Sequence, residues 1–184
     1  MAWLEAYMRR WCVLLAAISC LAPPTPASAD GWVDQARLGV LAHDIGLFDH
    51  HAESGIDVNA EVLFASPGWL SFIGGPHPNL GATINSAGGT SYGYFGLAWT
   101  PTLWGPIFAE LGLGGAVHDG ELNTPEVRRK ELGSRILFHE ELELGYRVAD
   151  PFSLSVFLDH ISNANLSRHN QGLTNLGMRA GFFF

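Results

Sequence analysis

Cysteine is nearly absent: the 184-residue chain has two, Cys12 and Cys20, and both fall within its first 29 residues. Once that segment is removed, disulfides and thiol chemistry are excluded together. Lysine is scarcer still. Lys130 stands alone in a chain of formal net charge -8, so no basic stripe can neutralise nucleic-acid phosphates, and nucleic acid is excluded as a partner. Charged residues make up only 15% against 47% hydrophobic, which excludes a disordered chain. Long apolar runs are missing too, since no stretch reaches the roughly 18 consecutive residues that a spanning helix needs. An apolar chain without a spanning helix must place its greasy surface some other way.

The first 29 residues read as a secretory signal. Arg9 and Arg10 precede an apolar stretch from Trp11 to Ala22, and Ala27-Ser28-Ala29 supplies small residues for cleavage before Asp30. The stretch is too short for an anchor helix. Residues 1–29 are therefore expected to be discarded, leaving residues 30–184 as one domain with 17 acidic and 8 basic side chains.

That domain alternates with a period of two, as strands do. Ile56, Val58, Ala60, Val62 and Phe64 oppose Asp57, Asn59 and Glu61; Ile107, Ala109, Leu111 and Leu113 oppose Phe108, Glu110, Gly112 and Gly114. Between Ser134 and Tyr146 the apolar side is Ile136, Phe138, Leu142 and Leu144, broken only by Glu140. Phe152, Leu154, Val156 and Leu158 oppose Ser153, Ser155, Phe157 and Asp159, and Leu176, Met178, Ala180, Phe182 and Phe184 oppose Asn175, Gly177, Arg179 and Gly181. Weaker candidates run near 36–42, 79–85 and 92–99, for eight strands in all.

A soluble sandwich would alternate in the same way. Two features favour an all-β, eight-stranded antiparallel outer-membrane barrel. The minority face carries Arg37, Asp57, Glu61, Glu110, Arg135, Glu141, Glu143, Asp159 and Arg179, which can pair inside a narrow lumen, and the last strand ends on Phe184. Trp69, Trp99, Trp104, Tyr146 and Phe152, at segment ends, suit interfacial girdles. The termini are then periplasmic, and the segments after His43, around Gly88, at 119–130 and at 163–172 extracellular. Eight strands leave no water-filled pore, which argues against a porin.

On the lipid-facing series the sequence continues past Leu158 to His160 and Ser162. Residues two apart on a strand share a face, so an imidazole and a hydroxyl stand together at the outer end of the greasy surface. An imidazole titrating near neutrality can take a serine proton, as acyl transfer requires. Polar groups on a lipid face cost energy, which points to a use for them.

The run D-H-I-S-N-A-N-L from Asp159 to Leu166, followed by Asn170, Gly172 and Gly177 and ending in Phe184, resembles the lipid A 3-O-deacylase family of PagL type. A looser resemblance runs through G-S-R-I-L-F-H-E-E-L-E-L-G-Y-R and D-V-N-A-E-V-L-F. It implies an eight-stranded barrel in the outer membrane of a Gram-negative bacterium, with a serine esterase site on its membrane-facing side that hydrolyses the 3-O-linked acyl chain of lipid A. It also implies His160 as base, Ser162 as nucleophile, Asn163 as critical, and Asn170 and backbone amides between Asn163 and Asn165 as holders of the oxyanion. Lipid A of lipopolysaccharide and the membrane are the implied partners, a homodimer is left open, and the chemistry requires no metal, nucleotide or other cofactor.

The chain departs from the family at one position. The triad acid stands fourteen residues after the histidine, and here that residue is Thr174, which can accept a hydrogen bond but offers no charge. Loss of the orienting acid costs triad hydrolases roughly 10⁴-fold. This keeps a non-catalytic or strongly impaired structural barrel as the alternative. With the turn after Arg147 centred near residue 149, Glu140 is expected opposite Leu158 and diagonal to His160, a substitute acid or a head-group contact. Asp159 faces the lumen and is rejected. His43, Asp44, Asp49, His50 and His51 mimic a metal cluster, but they lack fixed spacing and read as a solvated loop.

Overall fold

The computed structural model describes residues 31–184; the expected signal segment lies outside them. Nine antiparallel strands form one sheet: β1 (Val33–Ala42), β2 (Ile56–Phe64), β3 (His77–Asn85), β4 (Tyr92–Trp99), the three-residue β5 (Thr102–Trp104), β6 (Ile107–His118), β7 (Ile136–Ala149), β8 (Phe152–Ser162) and β9 (Leu173–Phe183). β1 pairs with β9, and β4 pairs with β6 past the short β5. The sheet thus closes on itself as an eight-stranded barrel, with β5 as a flap on β6. Closure removes the edge strands that would otherwise expose unpaired backbone to lipid.

The alternation in the sequence becomes two surfaces. Leu38, Val40, Val58, Leu80, Phe95, Leu144, Val156 and Met178 stay exposed on the outside, matched to hydrocarbon rather than water. Inside, Arg37 makes a two-pronged bond to Glu110 and reaches Glu61 and Glu143, while Arg179 reaches Glu61, Glu141 and Glu143. Glu61, Glu110 and Glu141 crowd together, with both guanidiniums as their counter-ions. Arg135 does not join them. It is exposed just ahead of β7 and donates to the carbonyls of His118 and Gly120. Interior glycines make room for large rings: a side chain at Gly145 would begin 2.1 Å from Phe108.

The long loops at 43–55, 119–135 and 163–172 gather at one end, above an apolar plug of Tyr92, Tyr94, Leu132, Leu137, Ile161 and Leu173. The opposite, turn end is closed by a 3-10 helix, Gly68–Ile73, with Leu70 buried. Trp69, Phe72, Trp104, Tyr146 and Phe152 are exposed around that end, an aromatic girdle on one rim. Among the described residues no helix is long and apolar enough to cross a membrane.

The β7–β8 reversal corrects one expectation. β7 runs on to Ala149, and the chain turns at Asp150–Pro151, one residue later than its length suggested. Paired positions therefore put Glu140 directly opposite His160, not diagonal to it, and Leu158 opposite Leu142.

Candidate active site

Three strands carry the site. β7 supplies Glu140, β8 supplies His160 and Ser162, and β9 supplies Thr174, with Glu140, His160 and Thr174 in one lateral row of paired residues. All are at even positions on strands whose even side chains face outward, so the row lies on the membrane side near the loop end. Asp159 points the other way: it is fully buried in the lumen, bonded to His139 and Tyr92.

His160 Nδ1 lies 2.7 Å from Oγ1 of Thr174, the residue expected from the resemblance at the acid's position. Thr174 is only 2% exposed although it is on the outer face, because the 43–55 loop folds over it and Ile45 donates its N–H to the Thr174 carbonyl at 2.8 Å. The same loop lays Phe48 edge-on against the His160 ring, with centroids 5.3 Å apart and planes at 82°. Gly172 also lies against the ring. A side chain there would begin 2.7 Å from Cε1 and 3.1 Å from Nε2, so only glycine lets the backbone come this close.

Glu140 stands across from His160 with Oε2 buried and without a hydrogen-bond partner. Ser162 is paired with Phe138 and is 9% exposed. No hydrogen bond joins the His160 and Ser162 side chains among the described residues; such bonds commonly tighten only when substrate enters. Beside Ser162, on the outer face, a cleft of about 570 Å³ is lined by Gly115, Phe138, Leu166 and Asn163 among others.

The asparagines of the H-x-S-N-A segment hold the loop together. Asn163 is buried; its amide donates to the carbonyls of Leu132 and His169, and its N–H donates to Asn170 Oδ1. Asn170 in turn donates to Asn165 Oδ1. Ala164 and Asn165 both take left-handed backbone, with φ of 52° and 63°. These bonds engage the Asn163 N–H within the loop, leaving the amides of Ala164 and Asn165 as the candidate oxyanion donors of this segment.

The 43–51 histidines and acids are a solvated loop only in part: His50 and His51 are exposed and Asp49 is half-buried. His43 and Asp44 are buried, because loop contacts from far along the chain enclose them. His43 bonds Asp57 and Glu53, and Asp44 accepts the N–H groups of Ala52 and Glu53. Burial disfavours the charged imidazole, yet the bonds and charges of Asp57 and Glu53 outweigh it and push His43 up to about 9. Burial likewise opposes ionisation of Glu53, but His43 and the N–H groups of Lys130 and Thr90 bring it down to about 2. Of the residues around His160, the sequence pointed to Thr174 and Glu140 and, through the motif, to Gly172, but not to Phe48 or to Ile45 behind Thr174, which come from a loop with no periodicity to read.

The lipid A 3-O-deacylase (PagL) family model matches residues 81–183, more than half the chain and all of the strands that carry the site. The chain belongs to the PagL family. PagL-type barrels are outer-membrane proteins, and the family's activity is ester hydrolysis at the 3-O position of lipid A. Among solved structures, the crystal structure of the outer membrane enzyme PagL is similar over 82% of this chain and 99% of its own, with 20% identity and a TM-score of 0.63. A de novo designed transmembrane β-barrel is similar over 86% of this chain and 100% of its own, with 11% identity and a TM-score of 0.52. At such identities both likenesses show the fold. Among curated proteins none matches.

Proposed function

We propose that this PagL-family barrel is itself an outer-membrane serine esterase that removes the 3-O-linked acyl chain of lipid A. The observation that carries the reading is the outward row at the loop end: His160 with Nδ1 held by Thr174, and Ser162 two residues on along the same face. With Nδ1–H donated to the threonine, Nε2 is the ring's acceptor. Ser162 Oγ attacks the ester carbonyl while His160 Nε2 takes its proton. The tetrahedral oxyanion is held by the backbone amides of Ala164 and Asn165, with Asn163 and Asn170 fixing the loop that presents them. His160 returns the proton to the departing sugar oxygen, leaving an acyl-serine. Water, deprotonated by His160, then releases the fatty acid and restores the serine.

The cleft beside Ser162 is of a size that accepts an acyl chain. Lipid A reaches it sideways from the membrane, without entering the filled lumen. The missing carboxylate had two tasks, to orient the imidazole and to offset its charge. Thr174 contributes to the first. Glu140, facing His160 across the strand pair, supplies the second.

Thr174 also favours a second reading, a scaffold that keeps the barrel and has lost the reaction. A serine-directed phosphonate probe separates the two. The esterase is labelled at Ser162 and the Ser162→Ala variant is not; absence of label on the folded wild-type barrel selects the scaffold.

A further inference from the structure

A hydroxyl cannot do all the orienting work of a carboxylate. One bond from Thr174 to Nδ1 fixes a point on the imidazole and leaves the ring free to rock about it. Here the ring has two further close neighbours, the backbone at Gly172 and the ring of Phe48. The loop that brings Phe48 is also tied to the strand at Thr174 itself, through Ile45 N–H. Imidazole, threonine and aromatic ring are therefore positioned by one connected piece of chain.

That piece is rigid by construction. Asp44, in left-handed backbone at φ 48°, accepts the N–H groups of Ala52 and Glu53 across the loop and donates its own N–H to Asn175 on β9. Lys130 enters from the 119–135 loop, fully buried, donating to the carbonyl of His50 and lying 3.2 Å from Asp44 Oδ1. Glu53 accepts the N–H groups of Thr90 and Lys130 and the Thr90 hydroxyl. Burying an ammonium is costly, and the chain's one lysine is buried against the carbonyl of His50, two residues along the loop from Phe48.

We propose that loop 43–55, through Phe48, is a positioning element for His160 that takes over the orienting part of the missing carboxylate's work, with Lys130 as its lock. The proposal deepens the deacylase reading and rests on it for its kinetic consequence. Small displacements of a catalytic group cost rate far more than binding. In the full-length barrel refolded in detergent with lipid A as substrate, Phe48→Ala lowers kcat by about 10- to 100-fold and leaves KM within about twofold. Phe48→Tyr, which keeps the ring, retains the rate, and Lys130→Met lowers kcat in the same way as Phe48→Ala. A second readout is independent of turnover: nitrogen NMR of labelled histidine shows His160 as a single Nδ1-protonated tautomer in the wild type and as a tautomer average in Phe48→Ala. If Phe48→Ala does not fold, Phe48→Leu carries the same expectations.

Wild-type kcat in the alanine or leucine variant, a rise in KM alone, or an unchanged tautomer signal overturns the proposal. An inactive wild type whose fixed tautomer is lost in Phe48→Ala supports the positioning role and contradicts the deacylase reading instead.

Discussion

Inside the barrel, Arg37 and Arg179 between them meet Glu61, Glu110, Glu141 and Glu143, and each of those carboxylates has a guanidinium within hydrogen-bond distance. On the outside, Glu140 keeps a buried oxygen with no partner, and His160 and Ser162 break an otherwise apolar surface. Every inner carboxylate is matched to a guanidinium without any ligand, although Arg179 Nε is itself buried without a partner; among the described residues Glu140 on the outside has no such counter-ion. A polar group on a lipid face is costly wherever it does nothing, so the unfinished set is where an external molecule completes the arrangement. On the proposed reading, charge inside serves the fold and charge outside serves chemistry.

The strongest way to break that comparison is to unbalance the lumen. Arg179→Met leaves Glu141 and Glu143 short of a counter-ion in a dry interior, and is expected to cost about 3 to 5 kcal/mol of barrel stability. Urea unfolding in lipid vesicles measures it. A variant as stable as the wild type would mean the inner charges are not what fills and fixes the lumen.

On the outer face the same kind of change is expected to spare the fold and cost rate. Glu140→Gln keeps shape and removes charge. Across a strand pair at an effective dielectric near 20, a unit charge is worth roughly 2 to 3 kcal/mol to the imidazolium, so deacylation falls by about 30- to 150-fold with the unfolding midpoint unchanged. Unaltered deacylation would remove Glu140 from the mechanism. Thr174→Val, which deletes one neutral hydrogen bond to the ring, is expected to lower kcat by about tenfold, in line with a bond worth about 1 to 1.5 kcal/mol.

How much of this was legible in the sequence follows the physics of each part. Period-two alternation fixes which side of a strand a residue faces, so the lumen charges and the shared face of His160 and Ser162 could be read directly. Register could not be read as well. It depends on where a turn centres, and the single residue by which Asp150–Pro151 lies beyond the expected centre moved Glu140 from diagonal to directly opposite His160. Arg135 was assigned to the lumen by extending the parity of β7 past its first residue, where the chain is already loop. Least legible was loop 43–55. Its partners Asn175 and Lys130 are 131 and 77 residues away from Asp44 and Glu53, and no local pattern announces contacts of that range.

The smallest effect concerns that loop's dependence on pH. His43 is raised to about 9 from 6.5, so its contribution to loop stability is fully present below about pH 6.5 and is lost as pH rises through about 9. Glu53 is lowered to about 2 from 4.5, so its contribution is fully present above about pH 4.5 and is lost as pH falls through about 2. Hydrogen exchange at the amides of Ala52, Glu53 and Thr90, corrected for intrinsic rates, should show greatest protection between about pH 4.5 and 6.5. The His43→Gln variant should lose the decline on the alkaline side. A flat profile in the wild type would show that the His43–Glu53 pair does not hold the loop.

The central claim, that the polar row on the barrel's outer face is a working lipid A esterase despite Thr174, is tested most directly by mass spectrometry of lipid A from Gram-negative cells expressing the protein. Lipid A is expected to be lighter by one hydroxyacyl chain with the wild type and of unchanged mass with Ser162→Ala at equal barrel levels. Unchanged lipid A in both, with the wild-type barrel folded in the outer membrane, would contradict it.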